Sequence, residues 1–250
     1  CAASSEAKGP SWASLDKGAA AEKILKVAPH AAVGVSGLDG DCRSGVKALR
    51  NAAVAHWLEF GDRLTLAGLA DALADECARH AGLDALLSGA DDDDDERPAR
   101  PLGAAFLLIG VDDASSVWLV DAAASPRRWR AKAIGQSSNE ADARLEAELR
   151  ALCERRGLEF PSLNDRAPWS LDDATAIACG VLDALCGEAD VAATVVRPAA
   201  AVEASTEYDA FAHDDGWEGP AAPVVSALPD DEFRAAVASL KAQRPTPPGD

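Results

Sequence analysis

The chain has 250 residues, of which 48% are apolar, and a formal net charge of -18 at pH 7. This length and apolar content suit one large globular domain. The negative charge argues against nucleic acid or an anionic membrane as the main partner, because either would require a basic surface. No apolar run approaches the roughly 18 to 20 residues that cross a bilayer, and no signal-peptide pattern opens the sequence, so we expect a soluble chain.

The cysteines are scattered without the CxxC spacing of metal and redox sites. Four of them fall inside helical patterns, where a small buried thiol packs well, and we predict reduced thiols in a cytosolic or nuclear setting. The six positions are Cys1, Cys42, Cys77, Cys153, Cys179 and Cys186. Because the sequence contains no methionine, we also expect a segment upstream of Cys1.

The first clear elements are a strand and two helices. Residues 31–37 (AAVGVSG) read as a short buried strand, and a helix is predicted from about Asp39 to Phe60, ended by Gly61. A second helix is predicted over about 65–81 and is closed by Gly82. The apolar stripe expected to face inward on the first helix consists of Val46, Leu49, Ala53, Trp57 and Phe60.

An acidic stretch separates these helices from the next strands. Residues 84–99 contain six consecutive acids at 91–96, followed by Pro98. Like charges at every position oppose packing, so we predict a loop or disordered insertion. The run lacks the spaced ligands and glycine turn of a calcium site, and no metal binding is predicted there.

Three strands and two capped helices follow. The strands are predicted over 102–110, 116–121 and 127–134, with tight turns between them. Capping boxes open both helices: Ser137 with Glu140 for the third, and Ser170 with Asp173 for the fourth.

The remaining residues predict one strand and one helix. Residues 190–197 form the strand, residues 205–213 could add an edge strand, and 229–241 form a last short helix before a frayed end. Strands grouped together between pairs of helices favour an α+β fold, a four-layer αββα sandwich, over alternating βαβ winding.

Several local sequences, taken in order, resemble those of proteasome alpha-type subunits. They are the EKI at 22–24 followed by VAPH at 27–30, the SGL at 36–38 with Asp41 and Arg43, the RPLG at 100–103, and the AKAIG at 131–135 with Ser137. Similarity to the fifth alpha type comes from the HW at 56–57, the GVD at 110–112, the ATV at 193–195 and the DEF at 231–233.

The resemblance implies an N-terminal nucleophile hydrolase fold, incomplete at the N-terminus because Cys1 corresponds to the family's second strand. We expect a proteasome alpha-type domain over 1–241, with the acidic insertion 84–99, and a disordered tail over 242–250. The implied function is that of a non-catalytic core-particle subunit in the cytoplasm and nucleus, with no cofactor. The implied partners are other alpha and beta subunits and the C-terminal tails of regulatory ATPases.

Lys23 is the one residue for which the resemblance implies a binding role. In the family, the lysine of this EKI lies in a pocket between adjacent alpha subunits and receives the C-terminal carboxylate of a regulator's tail. A lysine suits that task, because a cation at the rim of a groove attracts a chain-terminal carboxylate. The alternative is a solvated lysine before a strand.

Other interpretations of individual residues stay open. Cys1 could be the nucleophile of a Cys-dependent amidase of the same fold, or the lipid-modified first residue of a periplasmic protein. Ser36 resembles a nucleophile elbow, but Leu38 stands where that motif has glycine, which favours a small residue at a strand-to-helix junction.

The four histidines have no metal-ligand spacing. The arginines around Trp129 could contact phosphates, although carboxylates or a neighbouring subunit are the better partners for so acidic a chain.

Overall fold

A computed structural model shows the fold of the chain. It describes residues 2–4, 23–83, 100–112, 114–162, 168–186, 191–197 and 224–227, together with residues 235 and 238. In chain order the elements are β1 (Ala2–Ser4), β2 (Ile24–Ala28), β3 (Ala31–Gly37), α1 (Asp39–Phe60), α2 (Leu66–His80), β4 (Ala104–Val111), β5 (Ser115–Val120), β6 (Arg127–Trp129), α3 (Ser138–Arg155), α4 (Leu171–Cys186), β7 (Val191–Arg197) and β8 (Val224–Ala227).

The larger sheet contains five antiparallel strands in the order β2-β3-β4-β5-β6. Its two faces bury different residues of β4, because side chains alternate along a strand. Phe106 and Leu108 join the core formed with α1 and α2. Leu107 and Ile109 line a cavity to which residues of α3 and α4 also contribute. The sheet is therefore covered on both faces, as the apolar composition of β4 predicted.

The smaller sheet has the order β1-β7-β8 and is also antiparallel. Helix α4 packs against β1 and β7, and β7 lies against β4 of the larger sheet. The layers are therefore α1 with α2, the five-stranded sheet, the three-stranded sheet, and α3 with α4. This arrangement confirms the predicted α+β sandwich of four layers.

The apolar stripe of α1 is only partly buried, which corrects the sequence-based expectation. Val46 and Leu49 are in the core, but Trp57 is 44% exposed and Phe60 is 63% exposed. A 22-residue helix is about 33 Å long, whereas an eight-residue strand covers only about 27 Å. We attribute the exposure to the last turns of α1 extending past the sheet.

The two predicted capping boxes differ in outcome. At α4 the box is formed: the Asp173 amide donates to Ser170 Oγ at 3.2 Å, and the Ser170 amide donates to Asp173 Oδ2 at 2.8 Å. At α3 it is not formed, because Ser137 has φ -103 and ψ 27 and its side chain makes no capping hydrogen bond. A capping serine needs an extended backbone, and Glu140 instead pairs with Arg144 at 2.8 Å.

The third predicted strand of the central group is shorter than expected. It was predicted over 127–134 but ends at Trp129. Beyond it, backbone groups bond to other elements, since the Ala133 amide donates to Asp142 Oδ1 of α3 at 2.7 Å. Contact with α3 therefore replaces further pairing with β5.

The four cysteines whose side chains are described lie one in each helix, and each is buried and unpaired. Desolvation raises the pKa of the Cys77 and Cys179 thiols to about 11. Such thiols stay protonated near neutral pH, which agrees with a packing role.

Several predictions lie outside the described residues. They concern Cys1, the acidic insertion 84–99, the possible strand 205–213 and the tail 242–250. Of the predicted helix 229–241 only residues 235 and 238 are described, and both are helical. Among the described helices, none combines the length and the apolar character needed to cross a membrane.

Candidate functional site

The backbone of Lys23 is held at the start of β2 by pairing with β3. Its carbonyl accepts a hydrogen bond from the Val35 amide at 2.8 Å. The Lys23 side chain is half-buried and contributes to the wall of the cavity between the five-stranded sheet and helices α3 and α4. A short strand pair thus positions this lysine.

The cavity has a volume of about 700 Å³ and combines an apolar interior with positive charge. Leu107, Ile109 and Val117 of the sheet form one wall. The charged residues that line the described part are Lys23, Arg130 and Lys132, and no carboxylate is among them. In a chain with a net charge of -18, this is a local concentration of cations.

Two of the three cations are already engaged within the chain. Arg130 donates from Nε to the Ser162 carbonyl at 3.1 Å. Lys132 forms an ion pair with Asp142, and its Nζ lies 5.0 Å from the centre of the Trp129 ring. Lys23 has no ion pair with any carboxylate of the described residues. Among the described residues, it is therefore the cation of this cavity for which no partner is seen.

Ser36 lies in the same cavity wall, and none of the described histidines bonds to it. It is half-buried near the end of β3, and a Cβ placed on Gly135 would lie 3.3 Å from its Oγ. The three described histidines are engaged elsewhere: His30 bonds to the Leu64 carbonyl, His80 bonds to Glu76, and His56 stacks on Phe60. The interpretation of Ser36 as a small residue at a strand-to-helix junction fits this environment.

Two motifs that are 59 residues apart in the sequence meet at the start of α1. Arg100 Nη1 and Nη2 donate to the two carboxylate oxygens of Asp41 at 2.7 and 2.9 Å, and the Gly103 amide donates to Asp41 Oδ2 at 2.7 Å. The Arg100 guanidinium, helped by the Gly103 amide, lowers the pKa of Asp41 to about 2. Both motifs are visible in the sequence, yet their contact could be learned only from the fold.

His30, part of the EKI-to-histidine segment, is a buried structural residue. Only 3% of it is exposed, and its Nε2 lies 2.9 Å from the Leu64 carbonyl between α1 and α2. Its Nδ1 has no hydrogen-bond partner among the described residues. Desolvation lowers the pKa of this imidazole below its ordinary value. Because the Leu64 carbonyl can only accept a hydrogen bond, Nε2 is the ring nitrogen that carries a proton.

Groups of histidine, cysteine and carboxylate side chains that could hold a metal are absent from the described parts of the chain.

A family model described as proteasome subunit matches residues 4–159, which is more than half of the chain. The chain belongs to the proteasome subunit family. The match runs from β1 through α3, so it includes the whole five-stranded sheet and the segment around Lys23.

Several alpha-type proteasome subunits are similar to this chain. The proteasome subunit alpha of Pyrococcus abyssi is 30% identical over 129 residues, 52% of this chain and 45% of that protein. The Thermococcus onnurineus subunit alpha is 30% identical over 125 residues, 50% of this chain and 43% of that protein. A probable proteasome subunit alpha type-5 of Encephalitozoon cuniculi is 26% identical over 126 residues, 50% of this chain and 51% of that protein.

These similarities support an alpha-type proteasome subunit and confirm the resemblance seen in the motifs. The chain spans about half the length of the curated relatives it matches. Because archaeal alpha subunits match as well as the type-5 protein does, the assignment to the fifth type stays a prediction. The binding role of Lys23 likewise stays a prediction.

Proposed function

We propose that this chain is a non-catalytic structural subunit of the alpha ring of a proteasome core particle. In this proposal it contributes to ring assembly, to substrate gating and to the docking of regulatory particles in ubiquitin-dependent degradation, in the cytoplasm and nucleus. The observation that supports docking most directly is the Lys23 ammonium, which lines a cavity whose described wall carries no carboxylate.

The cavity suits the C-terminus of a regulatory ATPase tail. A tail ends in a carboxylate that a single lysine can pair with, and the apolar wall of Leu107, Ile109 and Val117 can take the preceding side chain. Partial desolvation inside the cavity strengthens such a pair relative to one in open water. Because Lys23 adjoins an outer strand of the sheet, a neighbouring alpha subunit could complete the site.

The absence of a nucleophile is part of the proposal. Ser36, one of three serines that line the cavity, lies near the end of β3 and has no hydrogen-bonded imidazole among the described residues. A nucleophilic serine is activated by an adjacent base, which in many enzymes is an imidazole. The geometry around Ser36 therefore favours a structural residue of the cavity wall over the nucleophile of an acyl-transfer site.

A binding experiment tests the docking role. The chain is assembled with the alpha and beta subunits of the same genome, and the assembled particle is titrated with a fluorescent peptide carrying the last residues of a regulatory ATPase. Lys23→Ala should weaken binding about tenfold, the loss expected when a partly buried charge pair is removed. Amidation of the peptide's C-terminus should have a similar effect.

Lys47→Ala is the matched control, because Lys47 is an exposed lysine on α1, away from the cavity lining. It should leave peptide affinity unchanged. If the chain fails to enter an alpha ring, the assembly proposal is wrong. If the ring forms but the Lys23→Ala particle binds the peptide as well as the unmodified particle does, the docking role of Lys23 is wrong.

A further inference from the structure

Strand β6 forms the edge of the five-stranded sheet, at the opposite side from β2. It pairs with β5 on one side, with Arg127 opposite Leu119, Arg128 opposite Trp118 and Trp129 opposite Val117. No described strand pairs with its other side. Among the described residues, the backbone groups on that side therefore have no strand partner, which is the property of a sheet edge.

The side chains of β6 give this edge a positive charge. All three residues are exposed, and neither Arg127 nor Arg128 forms an ion pair with a carboxylate of the described residues. Because side chains alternate, Arg127 and Trp129 lie on one face of the strand and Arg128 on the other. A strand added to this edge would meet an arginine on each face.

In so acidic a chain, it is unusual that Arg127 and Arg128 have no carboxylate partner among the described residues. The chain carries 42 acidic and 24 basic residues, so carboxylates are the commoner charged groups. Arginine is a strong partner for carboxylates because its planar guanidinium can donate two parallel hydrogen bonds. These two arginines nevertheless have no carboxylate partner in the described part of the chain.

We propose that the edge strand β6 binds an extended acidic segment of a partner protein by strand addition. Main-chain hydrogen bonds would align the segment antiparallel or parallel to β6, while Arg127 and Arg128 select carboxylates on its two faces. The exposed ring of Trp129, 37% accessible, offers an apolar contact beside them.

The overall negative charge of the chain does not prevent this interaction. At physiological ionic strength the Debye length is about 8 Å, so a bound segment responds mainly to the charges next to it. The inference goes beyond the docking role of Lys23, because β2 and β6 are separated by four strand spacings, roughly 19 Å. Arg127 and Arg128 do not line the Lys23 cavity, so substituting them tests the edge separately from Lys23.

The test uses the 250-residue chain and a short fluorescent peptide of alternating glutamate and threonine, followed by fluorescence anisotropy. We expect saturable binding at neutral pH that weakens with salt. The double variant Arg127→Glu and Arg128→Glu should lose about tenfold or more in affinity, since two attractive charges become repulsive. An otherwise identical peptide with lysine in place of glutamate should not bind.

Two controls separate strand addition from general attraction between charges. Arg43→Glu with Lys47→Glu makes the same change in net charge on the exposed surface of α1 and should leave binding unchanged. A glutamate peptide with proline at its central threonines keeps its charge but lacks main-chain donors, and it should bind much more weakly. Thermal unfolding of each variant confirms that it is folded.

The proposal is overturned if the glutamate peptide does not bind, if the β6 variant binds it normally, or if the proline peptide binds equally well. It is also overturned in one further case. If replacement of the five aspartates at 91–95 by asparagine is needed before the peptide binds, the occupant of the edge is the chain's own acidic run and not a partner.

Discussion

Asp41 and Arg100 form a bidentate ion pair that joins the first turn of α1 to the segment entering β4. Both oxygens of Asp41 accept from the guanidinium, at 2.7 and 2.9 Å, and one also accepts from the Gly103 amide. Next to this pair, Gly37 has φ 134, and a Cβ there would lie 2.2 Å from the Gly103 carbonyl oxygen. The SGL and RPLG motifs therefore form one structural junction.

Disruption of this junction should destabilise the fold. It should also reduce the loss of stability that the fold shows as the pH falls. The Arg100 guanidinium, with the Gly103 amide, lowers the pKa of Asp41 from its ordinary value of 3.8 to about 2. A lowered carboxyl pKa stabilises the fold above the unfolded value, and this contribution is lost as the pH falls from about 4 towards 2. Asp41→Asn should lower the melting temperature by about 2 to 4 °C at neutral pH and less at pH 2 to 3.

The control for this prediction is Asp39→Asn. Asp39 also pairs with an arginine, Arg43, but that pair is highly exposed, with side-chain accessibilities of 65% and 78%. Exposed pairs contribute little, so the control should melt close to the unmodified chain. Equal melting shifts in the two variants would contradict the structural role of the Asp41 junction.

Protonation of His30 should destabilise the chain in mild acid. The imidazole is buried, its Nδ1 has no described partner, and desolvation holds its pKa below the ordinary value of 6.5. Asp112 and Arg63 are the charged groups that act on it, in opposite directions. An unfolded His30 binds a proton near pH 6.5 while the folded one does not, so stability should fall as the pH drops below 6.5.

Urea unfolding between pH 7.5 and 5 measures this effect. In His30→Gln the decline in unfolding free energy below pH 6.5 should be shallower than in the unmodified chain, although the variant is less stable throughout. His56→Gln is the control, because His56 is on α1 and stacks on the exposed Phe60 ring, 4.6 Å away. A pH profile for His30→Gln as steep as that of the control would rule out His30 as the cause.

Gly45 allows α1 to approach the sheet closely. A Cβ at this position would lie 2.3 Å from Cζ of Phe106, a ring that is fully buried in the main core. Gly45→Ala should cost about 1 to 3 kcal/mol, because the ring cannot move away without disturbing its neighbours.

Gly40 in the same helix provides the comparison. Nothing lies within 4 Å of a Cβ placed there, so Gly40→Ala should be neutral or stabilise the chain by up to about 1 kcal/mol through helix propensity. Chemical denaturation measures both variants. If Gly45→Ala were as stable as Gly40→Ala, the close packing between α1 and β4 would be wrong.

The two helix starts with the same sequence pattern should respond differently to mutation. Ser170→Ala removes an acceptor of the Asp173 amide and should cost about 1 kcal/mol. Ser137→Ala should have little effect, since the Ser137 side chain makes no capping bond. Comparable losses in the free energy of unfolding would show that both serines cap their helices.

Some features of this protein follow from local sequence alone. The C-terminal limit of α1 is predictable from the glycine at position 61, because few other residues adopt the left-handed conformation that ends a helix without strain. In the structure Gly61 has this conformation, with φ 66. The buried strands β3 and β4 were predicted from their apolar runs. The four motifs that identify the family are local as well, so they could be read before any contact was known.

Other features depended on contacts between distant residues. The SGL and RPLG segments do not predict that Asp41 and Arg100 are in contact. The two residues are 59 positions apart in the sequence, and they meet only when α1 packs beside β4. The exposure of Phe60 depends on what packs against the end of α1, and the loss of the Ser137 cap follows from its backbone angles. The cavity around Lys23 was equally invisible in the sequence. Periodicity reports which side of an element is apolar, whereas the extent of burial is decided by what packs against it.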